Sequence, residues 1–198
     1  MTFYNFAKFI VHGIGRVLWR TRVYGAQNVP RSGPLIIACN HLSVLDPPIV
    51  GAFCPRRLTF MAKVELFRIP ILGPLIRALG AYPVDRAGNA TGAIKRSVEI
   101  LQSGGAVIIF PEGGRNLAGA ARARQGAALL AALTNAPIVP AAIVGSNRAR
   151  HLGQMKVAFG CPMSLDTNRK ATRDDLAKFT DTIMNEIRTL VERVNGDS

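Results

Sequence analysis

Residues 35 to 48 read LIIACNHLSVLDPP. The first five are apolar and too few for a stable helix, so they read as a strand buried on both faces. Asn40 and His41 follow at once, then Asp46, then two prolines. Pro47 disfavours the helical conformation at Asp46 and pre-sets a helix beyond it, which makes residues 48 to 53 a helix candidate. The stretch is therefore strand, polar turn, helix.

That unit recurs along the chain. Further strand candidates are RLTFMA (57 to 62), AYPV (81 to 84), AVIIF (106 to 110), IVPAAIV (138 to 144) and MKVAF (155 to 159). Helical patterns fall between them at 71 to 79, 90 to 103 and 125 to 134. In the second of these, Ile94, Val98 and Leu101 share a face while Lys95, Arg96 and Glu99 lie off it. A last helix is expected over about 172 to 194: Thr172 and Asp175 form a capping box, and Leu176, Phe179, Ile183, Ile187, Leu190 and Val194 recur at intervals of three or four. Alternating strands and helices predict an α/β fold with a central, largely buried sheet flanked by helices. With 198 residues and 48% hydrophobic content the chain supports one core, so residues 21 to 198 are expected to form a single domain.

Residues 1 to 20 are read separately, as an N-terminal amphipathic helix. The run FYNFAKFIVHGIGRVLW (3 to 19) is apolar but short for a membrane span and carries Lys8, His12 and Arg16. Asn5, Lys8, His12 and Arg16 fall on one helical face, leaving Phe3, Phe6, Phe9, Ile10, Ile14, Val17 and Trp19 around the remainder. Such a helix suits the headgroup boundary of a membrane. It equally suits packing on the domain's own core with Lys8 and Arg16 facing water.

Charge narrows the partners. The net charge is +13, and residues 1 to 165 carry 19 basic and 5 acidic side chains, so the excess belongs to the body of the chain and not to its end. A positive field of that size gathers anions: nucleic acid, an anionic membrane surface or phosphorylated substrates. Nucleic acid is not expected, since the sequence has no recognition-helix pattern, no interleaved aromatic and basic strand and no zinc spacing. Cys39, Cys54 and Cys161 are widely spaced and match neither a disulfide framework nor a metal site, which fits a reducing compartment. No secretory leader pattern is recognised at the N-terminus, and neither metal nor cofactor is expected.

In open α/β sheets ligands collect beyond the carboxyl ends of the strands. LIIAC leads to His41 and Asp46, AYPV to Asp85 and Arg86, and AVIIF to Pro111, Glu112, Gly113, Gly114 and Arg115. A histidine acting as a base needs a partner for its second ring nitrogen, and Asp46 can fold back onto His41 if the segment turns. By itself His41 reads as a hydrogen-bonded core histidine. The two glycines let an anion approach bare backbone, and Arg115 with Arg86 completes a candidate phosphate site that matches neither a P-loop nor a dinucleotide fingerprint. A second reading makes Cys39 a thiol nucleophile, since it shares a side of the strand with His41.

Four blocks, NHLSVLD (40 to 46), GAYPVDR (80 to 86), FPEGGRN (110 to 116) and IVPAA (138 to 142), resemble in order and spacing those of the glycerolipid acyltransferase family. The likeness spans roughly residues 20 to 165 and is strongest to bacterial 1-acylglycerol-3-phosphate acyltransferases, also called lysophosphatidic acid acyltransferases; the link FMAKVELFRIPILGPLIRALG (60 to 80) is similar too. The resemblance implies acyl transfer from acyl-CoA or acyl carrier protein to a lysophospholipid hydroxyl, without an acyl-enzyme, at the cytoplasmic face of the cell membrane. It makes His41 the catalytic base and Asp46 its orienting carboxylate, assigns Glu112, Gly113, Gly114, Arg115 and Arg86 to the glycerol-phosphate site, and adds Lys63 as a further phosphate ligand. The block around Pro140 is implied to be structural or acyl-facing. Two departures stand out. Gly114 and Asn116 replace a usual threonine and serine, and Ala123, Arg124, Gln125 and Gly126 stand where the family often has F-K-x-G, so the charge is kept and the aromatic lost.

Overall fold

Every residue of LIIAC is buried because the strand it forms, β2 (Leu35–Cys39), lies in the middle of a sheet. The computed structural model describes residues 3–84, 90–114, 123–165 and 169–196. Among these the sheet has seven strands in the order β1, β7, β6, β2, β5, β3, β4, with β1 Arg22–Tyr24, β3 Thr59–Lys63, β4 Ala81–Val84, β5 Ala106–Ile109, β6 Ile138–Val144 and β7 Lys156–Phe159. Strands β2 to β6 run parallel; β7 pairs antiparallel to β6 and carries β1 parallel to itself at the edge. The α/β expectation holds for a single domain with a mixed sheet.

Alternation along β2 divides the core. Leu35, Ile37 and Cys39 face one cluster, with Ile49, Val50 and Phe53 of α2 (Asp46–Phe53), and α1 (Phe3–Leu18) packs outside α2. Ile36 and Ala38 face the other, with Leu101 of α4 (Ala90–Gln102), Leu130 of α5 (Gly126–Thr134) and Ile183 and Ile187 of α6 (Arg173–Gly196). A short α3 (Leu72–Ala78) follows β3. Burying each large apolar side chain contributes about 1.5–3 kcal/mol, so β2 is anchored from both sides. The capping box closes as expected: the Asp175 carboxylate accepts from the Thr172 N–H (2.8 Å) and hydroxyl (2.7 Å), and the Asp175 N–H donates back to that hydroxyl (3.3 Å). Arg169 adds a 2.7 Å ion pair that holds the Asp175 carboxyl well below the usual carboxylate range.

Three local readings change. Strand β1 has only three residues and shows no period in the sequence; it forms because its backbone joins the edge of β7, with Arg22 opposite Lys156. Helix α2 begins at Asp46, not at residue 48, with both prolines in its first turn, where a missing N–H is harmless. Helix α1 lies the opposite way from the core-packing expectation. Lys8 turns inward and donates to the Cys54 carbonyl at the end of α2 (2.6 Å), His12 stacks at 4.5 Å from Phe53, and Arg16 folds over the same ring while donating to the Thr21 carbonyl (3.0 Å). Gly15 permits the approach, since a Cβ there would lie 2.7 Å from the Phe53 ring. The apolar face is the one left open: Phe3, Phe6, Phe9, Ile10, Ile14 and Val17 are all exposed, Phe9 by 69% and Val17 by 77%.

Candidate active site

The connections leaving β2 and β5 diverge. The chain after β2 passes over one face through α2, whereas the chain after β5 returns to β6 over the opposite face through α5, and it is beyond the carboxyl ends of two such neighbouring strands that open α/β sheets form their ligand crevice. The loops that follow them carry His41 and Glu112.

Asn40 fixes the end of β2. Its side-chain amide donates to the Ile143 carbonyl (2.9 Å) and its Oδ1 accepts the Ile143 N–H (2.8 Å), a two-point clamp onto β6. The chain then turns so that Asp46, fully buried at the start of α2, gathers it with one oxygen: Oδ2 accepts from the N–H groups of Leu42 (2.6 Å) and Ser43 (2.7 Å) and from His41 Nδ1 (2.8 Å). A carboxylate in the first turn of a helix is favoured by the helix dipole. Because a carboxylate can only accept, the neutral ring that fits this bond has its proton on Nδ1 and its lone pair on Nε2. Phe110 stacks on the imidazole at 4.3 Å between centroids and 28° between planes, which fixes the ring on its second side. The His41 side chain remains 13% exposed. The pair is a basic nitrogen, oriented by a carboxylate and presented at a crevice.

Glu112 ties the two loops, its Oε2 accepting the His41 backbone N–H (3.0 Å). In this structure its carboxylate thus touches the base's own loop, although the resemblance places it in the glycerol-phosphate block. Gly113 adopts φ +69°, left-handed backbone that a side chain rarely tolerates, and a Cβ on Gly114 would meet none of the described residues within 4 Å. Lys63, exposed at the end of β3, sits at the same edge of the sheet, with β5 between β3 and β2. Arg86 and Arg115 lie outside the described residues. Pro140 is buried within β6 opposite Ala38, and its carbonyl accepts the Gly160 N–H (2.8 Å), which is a packing position.

The sequence reading did not single out Asn40 or Phe110, and noted Arg124 only as a retained charge. The first two adjoin quoted block residues, and a polar residue next to a strand-end histidine with an aromatic before the glycine loop was the available signal.

Cys39 does not serve as the nucleophile. It is fully buried in the α2-side core, and burial, with the charges of Asp46 and Glu112 nearby, pushes its thiol well above the ordinary range, so the reactive thiolate is suppressed. Cys39→Ala is expected to keep turnover within about twofold of wild type, the usual range for a small core change. Loss of turnover in a variant with unchanged melting temperature would restore the thiol reading.

The acyltransferase family model matches residues 20–144. This chain belongs to the acyltransferase family. It is an enzyme of that class, as the four blocks implied. The chain is 31% identical over 179 residues to the 1-acyl-sn-glycerol-3-phosphate acyltransferase of Bacillus subtilis (strain 168), covering 88% of this chain and 89% of that protein. It is 30% identical over 168 residues to the protein of the same name from Streptococcus pneumoniae, covering 82% of this chain and 61% of the relative. The fold matches the crystal structure of the 1-acyl-sn-glycerophosphate (LPA) acyltransferase PlsC from Thermotoga maritima with a TM-score of 0.74 at 24% identity, over 96% of this chain and 80% of the other. The acyltransferase block that carries His41 and the block that carries Glu112 are thus the two loops that meet in the crevice.

Proposed function

We propose that this acyltransferase moves a fatty acyl group from an acyl-CoA or acyl carrier protein thioester to the free hydroxyl of 1-acylglycerol-3-phosphate, giving phosphatidate for phospholipid biosynthesis. The observation that carries the reading is the His41–Asp46 pair, with no partner for Nε2 among the described residues, between the β2 and β5 loops. The acceptor hydroxyl gives its proton to His41 Nε2 as its oxygen attacks the thioester carbonyl. Asp46, held on Nδ1, stabilises the imidazolium that forms. The tetrahedral adduct then collapses, the carbon–sulfur bond breaks, and the departing thiolate takes the proton from the imidazolium. His41 ends as it began. Gly113 and Gly114 let the acceptor's phosphate approach the backbone; Lys63, Arg86 and Arg115 supply positive charge, and Glu112 positions the loop. The names of the relatives support this acceptor.

In this reading residues 1–20 are a membrane-docking segment and residues 21–198 the acyltransferase domain, working at the cytoplasmic face of the cell membrane. No helix among the described residues is long and apolar enough to cross a membrane. The open face of α1 instead favours monotopic docking, because Lys8 and His12 point into the protein while the phenylalanines point out. Ile69 and Ile71, just before α3, and Leu75 within it are exposed too, Ile71 by 84%, and α3 contacts α1. The net charge of +13 adds attraction to anionic headgroups. Since α1 also packs on α2, point variants test this more cleanly than truncation. Phe6→Glu with Phe9→Glu is expected to lower partition onto anionic vesicles about 10²-fold or more, two phenylalanines contributing about 1.5–3 kcal/mol each, with an unchanged melting temperature. Undiminished flotation would remove α1 as the docking element.

The function itself is tested by a turnover screen of purified protein, with acyl-CoA and acyl carrier protein donors, against a panel of lysophospholipids in anionic vesicles. Preferred turnover of 1-acylglycerol-3-phosphate is the expected result. Preference for a lysophospholipid with a substituted phosphate would reassign the acceptor while leaving the reaction class intact.

A further inference from the structure

Arg124 occupies a position that the block pattern does not assign. It lies well beyond Glu112 in the chain, yet its backbone N–H donates to the Pro111 carbonyl (2.7 Å), which pins it to the loop after β5. Its side chain lies across Gly113: a Cβ on that glycine would be 2.5 Å from the arginine Nε, 2.7 Å from Cδ and 3.0 Å from Cζ. The residue before Gly113 holds the His41 backbone, so this guanidinium is carried by the same loop that ties to the base.

Several other arginines of the fold use their guanidinium groups on the protein. Arg56 donates to the Gly33 and Gly104 carbonyls (2.7 and 3.0 Å) at the amino ends of β2 and β5, Arg16 donates to Thr21, Arg96 pairs with Glu99, and Arg169 with Asp175. Arg124 has no hydrogen-bond or ion-pair partner for its guanidinium among the described residues, and it is exposed. Beside it, a Cβ on Gly114 would meet none of the described residues within 4 Å. A planar cation with five donors, lying beside a glycine turn, matches the oxygens of a phosphate monoester. We infer that Arg124 binds the phosphate of the acyl acceptor over the Gly113–Gly114 turn.

This inference rests on the proposed transfer to a phosphate-bearing acceptor, and the kinetic pattern separates the two. In Arg124→Ala, the KM for 1-acylglycerol-3-phosphate should rise about tenfold to a hundredfold, the range for losing a charge-assisted contact, while kcat and the KM for the acyl donor change little. Arg124→Lys, which keeps the charge and loses the fork, should recover part of the acceptor KM. Unchanged acceptor KM in Arg124→Ala, or kcat and both KM values worsening together with a lower melting temperature, would overturn the role of Arg124 and leave the proposed reaction standing. Failure of the wild-type enzyme to use any phosphate-bearing acceptor would overturn both.

Discussion

Replacing His41 with alanine is expected to lower kcat for acyl transfer by about 10³-fold, the scale of a lost general base. The expectation follows from the ring's surroundings. Nδ1 is committed to Asp46 at 2.8 Å and one ring face to Phe110 at 4.3 Å, so Nε2 is the atom left to receive the acceptor's proton. The turn itself is held by the bonds from Leu42 and Ser43 to Asp46 and by the Asn40 clamp on Ile143, none of which needs the imidazole. The variant should therefore keep its fold and its vesicle flotation. Wild-type kcat in a well-folded His41→Ala protein would remove the base from the mechanism.

Replacing Asp46 with asparagine should lower kcat by about 10²-fold or more and also destabilise the protein. The two effects have separate origins. The neutral amide no longer stabilises an imidazolium at His41. Its carbonyl oxygen can take over the three bonds made by Oδ2, but the nitrogen then falls where Oδ1 lies, a buried atom with no hydrogen-bond partner among the described residues. An unsatisfied buried donor costs about 1–3 kcal/mol, visible as a drop of several degrees in melting temperature. Undiminished kcat would show that orientation of His41 does not depend on the charge.

The parts of this molecule that were legible in the sequence are those governed by short-range pattern. LIIAC is apolar on both faces because β2 is covered from both sides, and the α6 heptad-like spacing reports its single buried stripe directly. The strand-end position of His41 and Glu112 follows from the alternation of elements, and their meeting follows from β2 and β5 being neighbours. Other features depend on partners remote in sequence. The three residues of β1 are a strand only because β7 offers an edge, and the reversal of β7 leaves no mark on its composition. Periodicity marked the polar stripe of α1 but could not say which face would turn inward. Tyr4, Ala7 and Gly15 pack on the body while the phenylalanines remain outside, an order that binary patterning does not encode. Arg124 was visible only as a retained charge, since its place over Gly113 requires the loop's return.

Direct transfer from thioester to lipid hydroxyl, with His41 as base and no covalent acyl-enzyme, is tested most directly by following lipid product and protein mass in the same quenched reaction. Wild-type protein is mixed with the thioester donor, with and without 1-acylglycerol-3-phosphate. Phosphatidate formed only when the acceptor is present, with no acyl adduct on the protein when it is absent, is the predicted result. An acylated protein intermediate, or thioester consumed to free fatty acid with no phosphatidate, would contradict it.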